Sequence, residues 1–376
     1  MNLVFTCGGT AGHINPAIAV ANEMRRRYPD CKVLFIGAKG HMEEKLVPQA
    51  GFELKTLPGS GLSRKLNPKG IKQNIHAVQC VLQAVRSCKE IFREFRPDVI
   101  VGTGGYASFP ALYAGSKLGI PTCVHESNAV PGVTTKMVAK RASRVLVAFE
   151  ESVGYYNDPG KVEVVGMPLQ QGFIYADKKS ARQQLGLGQE DFVVLSAFGS
   201  LGAKHMNEMV AELMCMEKEA GYPFHHIHAT GGFGWEWMPE LLRKDGLDLP
   251  HTPAIDMREY IYDMPLEMAA ADVVISRSGA ATCNEIAASG TPSILIPSPN
   301  VTNNHQERNA RVLSDKDAAV TILEKDCTAE KVMAEIQSLL ADKERRENMS
   351  KTLRSMVRLD STQRICDIVE ELAGKQ

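Results

Sequence analysis

Short apolar runs rich in β-branched residues alternate along the chain with segments whose apolar positions recur every three or four residues. The short runs predict buried strands, and the longer segments predict amphipathic helices. In the first half, the predicted strands cover 3–6, 32–36, 98–101, 122–125 and 145–149. Asn15 is predicted to cap the helix after the first strand, with Pro16 as its first residue. The buried face of that helix is predicted to comprise Ala17, Val20, Ala21 and Met24.

The same alternation begins again in the second half of the chain. The predicted strands there cover 192–197, 224–229, 273–276, 293–296 and 319–323, and the predicted helices cover 204–219, 281–288, 306–313 and 329–340. This order is typical of α/β proteins, so we predict two consecutive doubly wound parallel sheets with a hinge near 165–168. The predicted domains are 1–165, 166–345 and a helical segment, 346–376, that packs back onto the first domain.

Composition restricts the class of protein. The chain has 376 residues, of which 44% are hydrophobic and 23% charged, as in ordinary globular proteins. Its 43 Lys and Arg balance 44 Asp and Glu, which excludes a globally basic nucleic-acid binder. No apolar run approaches the roughly 18 residues of a membrane span, and the N-terminus does not resemble a signal peptide. The nine cysteines are scattered without a C-x-x-C pair, so we expect reduced thiols, a cytosolic protein and no metal site.

Four glycine-containing loops follow predicted strands, at 7–13, 102–106, 199–202 and 276–282. Ligands of open α/β sheets bind beyond the carboxyl ends of the strands, so these loops predict a cleft between the domains that grips a two-part ligand. The alternative for each loop is a tight turn without a ligand. The first loop is not G-x-G-x-x-G, and Gly37-Ala38-Lys39 lacks the acidic ribose partner of NAD enzymes. No P-loop motif occurs, which excludes a P-loop ATPase.

Two titratable residues adjoin these loops. Glu285 lies about one turn into a predicted helix, where its carboxylate could accept both hydroxyls of a ribose. The alternative is a favourable interaction with the helix dipole. His13 follows the first glycine loop and could be a neutral general base for a sugar hydroxyl, or it could be structural.

Four motifs resemble those of the MurG family of bacterial glycosyltransferases. They are GGTAGHINP at 8–16, GGYASFPA at 104–111, HESN at 125–128 with Gly132, and RSGAATCNE at 277–285 with Gln306. The resemblance implies a GT-B fold of two Rossmann-like domains. It also implies an inverting transfer of N-acetylglucosamine from UDP-N-acetylglucosamine to lipid I, the undecaprenyl-diphosphate-linked N-acetylmuramoyl-pentapeptide. The product is lipid II of peptidoglycan synthesis, and neither a cofactor nor a catalytic metal is implied.

The resemblance also implies a role for each matching residue. His13 matches the family's proposed base, Ser200 a residue beside the diphosphate, Ile261 a contact of the uracil and Gln306 a contact of the sugar hydroxyls. The full set of implied donor contacts is Thr10, Ala11, Gly12, Asn128, Gln170, Ser200, Ile261, Ala280, Ala281, Thr282, Cys283, Asn284, Glu285 and Gln306.

Two positions depart from the family's pattern. Ala11 replaces a glycine of the usual G-G-T-G-G-H, and its methyl group fits without strain only if φ is negative. Gln170 stands where the family has an arginine, so it can donate a hydrogen bond but supplies no positive charge. Two other functions stay open. One is another GT-B enzyme of UDP-sugars, such as a glycolipid glycosyltransferase or a UDP-sugar epimerase, and the other is a nucleotide-sugar sensor without turnover.

A basic segment between residues 63 and 96 suggests a membrane surface as a further partner. Its eight basic residues outnumber Glu90 and Glu94, for a local charge of +6; they are Arg64, Lys65, Lys69, Lys72, Arg86, Lys89, Arg93 and Arg96. One predicted helical face combines Ile75, Val78, Leu82 and Val85. We expect peripheral docking to an anionic leaflet at the cytoplasmic face of the plasma membrane. The alternative is that this apolar stripe belongs to the core.

Overall fold

The structure, a computed structural model, describes residues 1–58 and 68–375, with side chains described from His76 onward in the second range. The chain forms two compact units. The first comprises Met1–Leu169 together with Arg358–Gln376, and the second comprises Gln170–Val357. The second unit is therefore an uninterrupted stretch inserted into the first, and the charged C-terminal segment is divided between the two.

The first unit is built on a seven-stranded parallel sheet with the order β3-β2-β1-β4-β5-β6-β7. Its strands are β1 Asn2–Thr6, β2 Lys32–Ala38, β3 Glu53–Leu57, β4 Val99–Gly102, β5 Thr122–Glu126, β6 Arg144–Val147 and β7 Val162–Val164. Its helices are α1 Ala11–Arg27, α2 Glu43–Gln49, α3 Pro68–Phe95, α4 Ser108–Lys117, α5 Val133–Ala139 and, from the end of the chain, α16 Ser361–Leu372.

Helices cover both faces of this sheet, because alternate strand residues point to opposite sides. Leu3 and Phe5 of β1 face a core that includes α1 and α16, whereas Val4 faces a core that includes α3 and α4. The predicted face of α1 is fully buried, as the spacing of its apolar residues indicated. Arg27 of α1 also pairs with Asp367 and Glu370, at 2.6 and 2.9 Å, so α16 is fastened to α1.

The predicted start of α1 is wrong. The helix begins at Ala11, directly after the glycine loop, and Asn15 lies exposed inside it. The N–H groups of His13 and Ile14 both donate to the carbonyl of Thr10, at 3.0 and 3.2 Å, so the first turn is already wound before Pro16. A proline ring crowds the carbonyl four residues earlier. Here that residue is Gly12, whose backbone adapts most readily.

Helix α3 presents a mixed apolar and basic strip to solvent. Val78 and Leu82 are 54% and 57% exposed, because the helix buries its face of Ala77, Ala84, Cys88 and Phe92 instead. The alternative that the stripe lies in the core is therefore wrong for Val78 and Leu82, but it holds for Val85, which is partly buried against the core. Arg86, Lys89 and Arg93 continue the same face at helical spacing, and we call the five residues Val78, Leu82, Arg86, Lys89 and Arg93 the α3 strip. Arg64 and Lys65, and the side chains of Lys69, Lys72 and Ile75, lie outside the described residues.

The second unit contains a six-stranded parallel sheet with the order β10-β9-β8-β11-β12-β13. Its strands are β8 Val193–Ala197, β9 His225–Ala229, β10 Ile255–Arg258, β11 Val273–Ser276, β12 Ser293–Leu295 and β13 Val320–Thr321. Its helices are α6 Gln171–Tyr175, α7 Lys178–Leu185, α8 Lys204–Glu219, α9 Gly232–Trp235, α10 Met238–Lys244, α11 Met264–Ala270, α12 Ala280–Ser289, α13 His305–Ser314, α14 Ala329–Ala341 and α15 Lys343–Met356.

A buried polar network joins β8, β9 and α8 in the second unit. The Ser196 hydroxyl lies 2.7 Å from His226 Nε2 and 2.7 Å from His228 Nδ1. His226 Nδ1 in turn lies 2.7 Å from Glu217 Oε1. Burial, reinforced by the neighbouring His226, lowers the pKa of His228 to about 3, so its ring is neutral near pH 7. The network fixes the strand ends from which the third glycine loop departs.

The chain passes between the units beside a glycine that no other residue could replace without movement. Gly166 has a φ of 78°, and a Cβ there would lie 2.5 Å from Ser361 Oγ and 2.9 Å from Arg358 Cβ. The outgoing segment of the first unit therefore packs directly on the returning one. The Gly166 carbonyl also accepts a 2.8 Å hydrogen bond from His125 Nε2.

Candidate active site

The first unit holds His13 in a defined orientation and protonation state. His13 is the third residue of α1, and its Nδ1 lies 3.1 Å from the carbonyl oxygen of Thr103, just after β4. A carbonyl only accepts, so Nδ1 carries the proton and Nε2 keeps its lone pair. The Thr103 hydroxyl donates to the His13 carbonyl at 2.6 Å, which fixes the two loops to each other. The arrangement suits a general base that acts through Nε2.

Gly104 makes room for this ring. Its φ is 108°, and a Cβ at this position would lie 2.7 Å from His13 Nδ1. Any other residue would be strained in its backbone and would push the ring away. The second glycine loop thus positions the histidine that follows the first loop. The sequence of either loop alone does not predict this contact.

The start of α1 also offers backbone donors. Thr10 precedes the helix with an extended backbone, and its side chain makes no capping hydrogen bond. The first-turn amides of Ala11 and Gly12 have no acceptor within the helix, which is the usual setting for an anion. Ala11 has a helical backbone and is absent from the left-handed residues of the described chain, so its methyl group causes no strain.

The HESN loop is held together by a buried carboxylate. Glu126 Oε1 accepts from both the backbone nitrogen and Nδ2 of Asn128, each at 3.0 Å, and Oε2 accepts from the Gly132 nitrogen at 3.0 Å. The predicted donor contact Asn128 therefore has its amide nitrogen engaged by Glu126. Burial lowers the pKa of the adjacent His125, so that ring is neutral and acts as a structural donor to Gly166.

In the second unit, α12 begins with free backbone donors. Gly279 occupies the capping position and has no side chain to offer, so the amides of Ala280, Ala281 and Thr282 point out of the helix without a cap. Such an N-terminus carries a partial positive charge and suits a diphosphate. The side chains of Cys283 and Asn284 are buried instead, and Asn284 Nδ2 donates to the Ala280 carbonyl at 2.9 Å. These two predicted contacts therefore face the interior with their side chains.

Glu285 lies on the same helix with its carboxylate only partly exposed. Burial raises its pKa to about 7. No described residue donates a hydrogen bond to this carboxylate, so both of its oxygens can accept from a ligand. An acceptor pair of this kind matches the two hydroxyls of a ribose.

Gln306 lies beside the loop that precedes α12. Its Oε1 accepts from the Ser298 nitrogen at 2.9 Å, and its carbonyl accepts from the Ser278 hydroxyl at 2.8 Å. These bonds orient the side chain and leave its amide nitrogen as a donor. Arg277 steadies the same loop through the Ile296 carbonyl at 3.0 Å and Glu324 at 2.5 Å. Sequence reasoning assigned no role to Arg277 or Glu324.

The remaining predicted donor contacts lie at separate points of the second unit. Ser200 is exposed in the loop after β8, whose Gly202 packs so tightly on Thr230 that a Cβ would lie 2.0 Å from the Thr230 carbonyl oxygen. Ile261 follows β10 and is almost fully buried between exposed tyrosines. Gln170 is exposed at the first position of the unit, immediately before α6. Within 1–58 and 68–375, no group of three or more His, Cys, Asp or Glu is arranged to hold a metal ion.

Two parallel doubly wound units, each with glycine loops at the carboxyl edge of its sheet, form the GT-B fold. Residues 3–147 match the glycosyltransferase family 28 N-terminal domain, and residues 193–365 match the glycosyltransferase family 28 C-terminal domain. A relative from Acetivibrio thermocellus is 39% identical over 372 residues, which cover 99% of this chain and 98% of the relative. That relative is named UDP-N-acetylglucosamine--N-acetylmuramyl-(pentapeptide) pyrophosphoryl-undecaprenol N-acetylglucosamine transferase. The chain belongs to this MurG family.

Solved structures agree with this assignment. The crystal structure of MurG from Acinetobacter baumannii superposes with a TM-score of 0.77 at 26% identity and covers 98% of this chain and 99% of that one. A UDP-GlcNAc 2-epimerase from Neisseria meningitidis, solved with UDP-GlcNAc, has a TM-score of 0.63 at 13% identity, covering 99% of this chain and 100% of that one. The likeness to the epimerase shows the GT-B fold alone.

Proposed function

We propose that the chain transfers N-acetylglucosamine from UDP-N-acetylglucosamine to lipid I with inversion at the anomeric carbon. The observation that carries the proposal is the hydrogen bond between His13 Nδ1 and the Thr103 carbonyl. The Nδ1 proton is committed to the Thr103 carbonyl, which leaves Nε2 as a base in a motif shared with the MurG family. The names of full-length relatives at 39% identity and below support the same donor and acceptor.

Each unit has its own task in this reaction. In the second unit, the uncapped amides of α12 and Ser200 bind the diphosphate, Glu285 the ribose, Ile261 the uracil and Gln306 the sugar. In the first unit, His13 Nε2 takes the proton from the acceptor's 4-hydroxyl as its oxygen attacks the anomeric carbon. The bond from that carbon to the β-phosphate oxygen breaks, and UDP leaves with the electron pair. Backbone amides and the helix dipole stabilise the charge of the leaving diphosphate.

An assay of UDP release tests this function against the alternatives. The purified chain is given UDP-N-acetylglucosamine with and without a soluble lipid I analogue. We expect UDP release only when the analogue is present, together with a disaccharide product, and no loss of rate in EDTA. An epimerase would convert the donor without any acceptor. A sensor would bind UDP-N-acetylglucosamine and release nothing, so either result would refute the proposed transfer.

We further propose that the first unit docks on the anionic surface that holds the lipid acceptor. No helix within 1–58 and 68–375 is long and apolar enough to cross a membrane. The α3 strip combines exposed apolar side chains with three cations. Helix α5, reached through α4 in the same layer, exposes Val133 and Met137 beside Lys136 and Lys140. Insertion of a few apolar side chains and attraction to anionic lipid act together in peripheral binding.

Removing the charges of the α3 strip is expected to weaken this docking. Each Lys or Arg near an anionic leaflet contributes about 1 kcal/mol, so the triple variant R86Q/K89Q/R93Q should bind phosphatidylglycerol vesicles roughly 100-fold more weakly. Sedimentation with vesicles at low and high salt measures the effect. Wild-type binding should disappear at high salt and on pure phosphatidylcholine. UDP affinity should be unchanged in the variant.

A variant with the same loss of charge elsewhere is the control. Arg26, Arg243 and Lys343 are exposed, and none of them lies on α3. The variant R26Q/R243Q/K343Q should bind anionic vesicles like the wild type. Equal weakening of vesicle binding in both triple variants would show that only the net charge matters. Vesicle binding that resists high salt would show that the docking surface lies elsewhere.

A further inference from the structure

A buried carboxylate outside every motif lies against the first glycine loop. Glu43, the first residue of α2, is 0% exposed. Its Oε2 accepts from the backbone nitrogen of Gly9 at 3.1 Å, and its Oε1 accepts from that of Ala38 at 2.8 Å. Both oxygens are therefore used by backbone amides. The side chain joins the end of β2 to the loop after β1.

The Glu43 side chain occupies the space that a side chain would need at two glycines, Gly8 and Gly37. A Cβ at Gly8 would lie 2.7 Å from Glu43 Oε1, and a Cβ at Gly37 would lie 2.5 Å from Glu43 Cγ. Neither glycine has a positive φ, so backbone conformation does not require them. The space that they leave accommodates the carboxylate. Burying a carboxylate is costly unless hydrogen bonds compensate it, and here two backbone donors do so.

The loop that Glu43 holds is the one that leads into His13. On the opposite side, the second glycine loop presses on it, since a Cβ at Gly105 would lie 2.2 Å from the Gly8 carbonyl oxygen. The next residue after Gly9 is Thr10, whose carbonyl accepts from the His13 nitrogen at 3.0 Å. A short path of one hydrogen bond, one peptide unit and one helix-starting bond thus links the carboxylate to the histidine.

The charge of Glu43 acts on the same loop. Burial, and secondarily the negative charge of Glu43, raises the pKa of the Cys7 thiol at the loop's first residue. Glu43 already accepts the hydrogen bond of the Gly9 amide, so its negative charge disfavours a second anion there.

We propose that Glu43 is a positioning residue of the transfer reaction. Its two backbone hydrogen bonds hold the segment from Gly8 to Thr10, and that segment fixes the ring of His13 for proton transfer. This inference rests on the proposed function, in which His13 is the base. Glu43 itself touches neither substrate.

The variant Glu43→Gln tests the proposal with almost no change of shape. An amide has one accepting oxygen, so its NH2 group would face the N–H of either Gly9 or Ala38. We expect kcat to fall about 10- to 100-fold, as for a catalytic group displaced by a fraction of an ångström to 1 Å. The KM for UDP-N-acetylglucosamine and the affinity for UDP should stay within about twofold. The acidic limb of the pH profile of kcat should also shift.

The neighbouring residue supplies a matched control. Glu44 is exposed on the same helix, so Glu44→Gln removes one carboxylate of the same type without touching the loop. It should behave as the wild type in every measurement. Gly8→Ala gives an independent perturbation, because it keeps the charge but pushes a methyl group against Glu43 Oε1. It should reproduce the loss of kcat, and it decides the question if Glu43→Gln does not fold.

A spectroscopic measurement separates this inference from the proposed function. The ¹⁵N signals of the His13 imidazole, assigned by their absence in His13→Gln, report its tautomer without any turnover. We expect one tautomer, protonated at Nδ1, in the wild type and a mixture in Glu43→Gln. An unchanged spectrum and kcat in the folded variant would overturn the positioning role. A wild type without acceptor-dependent UDP release would overturn the proposed function, whatever the spectrum shows.

Discussion

Replacing His13 with alanine is expected to lower kcat by about 10²–10⁴-fold, the range for loss of a general base. The ring lies in the first unit, so UDP binding to the second unit should change by no more than about twofold. Steady-state kinetics with a soluble lipid I analogue and calorimetry with UDP measure the two quantities. The wild-type rate should fall at low pH as Nε2 becomes protonated, and this limb should be absent from the residual activity of the variant.

Two further variants identify the cause of that loss. His13→Asn has an N–H at the position of Nδ1 and can still donate to the Thr103 carbonyl, so it preserves the loop but offers no base, and it should be as inactive as His13→Ala. His41→Ala removes an exposed histidine of the same unit and should have no effect. If His13→Asn retained most of the activity, the histidine would serve only to orient the loop.

The second large effect is expected at Glu285. A carboxylate that accepts both ribose hydroxyls contributes about 2–4 kcal/mol, so Glu285→Ala should weaken UDP binding roughly 30- to 1,000-fold. The KM for the donor should rise in parallel. 2′-Deoxy-UDP should bind the wild type much more weakly than UDP does, and the variant should hardly distinguish the two. Calorimetric titration measures all four affinities.

The raised pKa of Glu285 adds a pH dependence with a definite sign. The carboxylate form binds the ribose and the acid form does so poorly, so UDP affinity should fall as pH drops through about 7. A one-proton dependence gives a loss of about tenfold between pH 8 and pH 6. Glu285→Gln should lack this component, while the titration of the UDP phosphate itself remains in both proteins and cancels in the comparison.

A first-turn glutamate on another helix tests the alternative role. Glu330 is exposed in the first turn of α14, where it can serve only the helix dipole and its own cap. Glu330→Gln should leave UDP affinity unchanged. If a folded Glu285→Gln variant also bound UDP normally at every pH, Glu285 would have the same dipole role as Glu330 and no ribose contact.

Local sequence patterns predicted the central strands and the edge strand β13, and missed the other three edge strands. The runs of β1, β4, β8 and β11 are buried on both faces and mostly apolar, so they stand out. The strands β3, β7 and β10 lie at sheet edges and are half polar; in β10, for example, Arg258 pairs with Asp256. The first helix was placed five residues late because Pro16 resembles a first helical residue when the adaptable Gly12 before it is overlooked.

The candidate site was predictable where it lies on contiguous motifs and not where it depends on tertiary contacts. His13 and Glu285 stand beside glycine loops, which made them visible. The Thr103 carbonyl that sets the tautomer of His13 is a backbone atom 90 residues away. Glu43 belongs to an ordinary charged helix start, and nothing in its sequence context indicates that both its oxygens bind loop amides. Cys283 and Asn284 lie within a motif, yet the helical period turns their side chains inward.

The insertion of one unit into the other sets an order in time. During synthesis the inserted stretch Gln170–Val357 emerges whole, whereas the sheet that begins with β1 lacks α16 until Ser361–Leu372 have also been made. Ile365, Ile368 and Val369 complete the core around Leu3 and Phe5. The nascent chain can therefore finish its second unit first, and the unit that carries His13 matures last. Loss of α16 would therefore leave the core around β1 incomplete, although β1 is the first strand of the sheet to be synthesised.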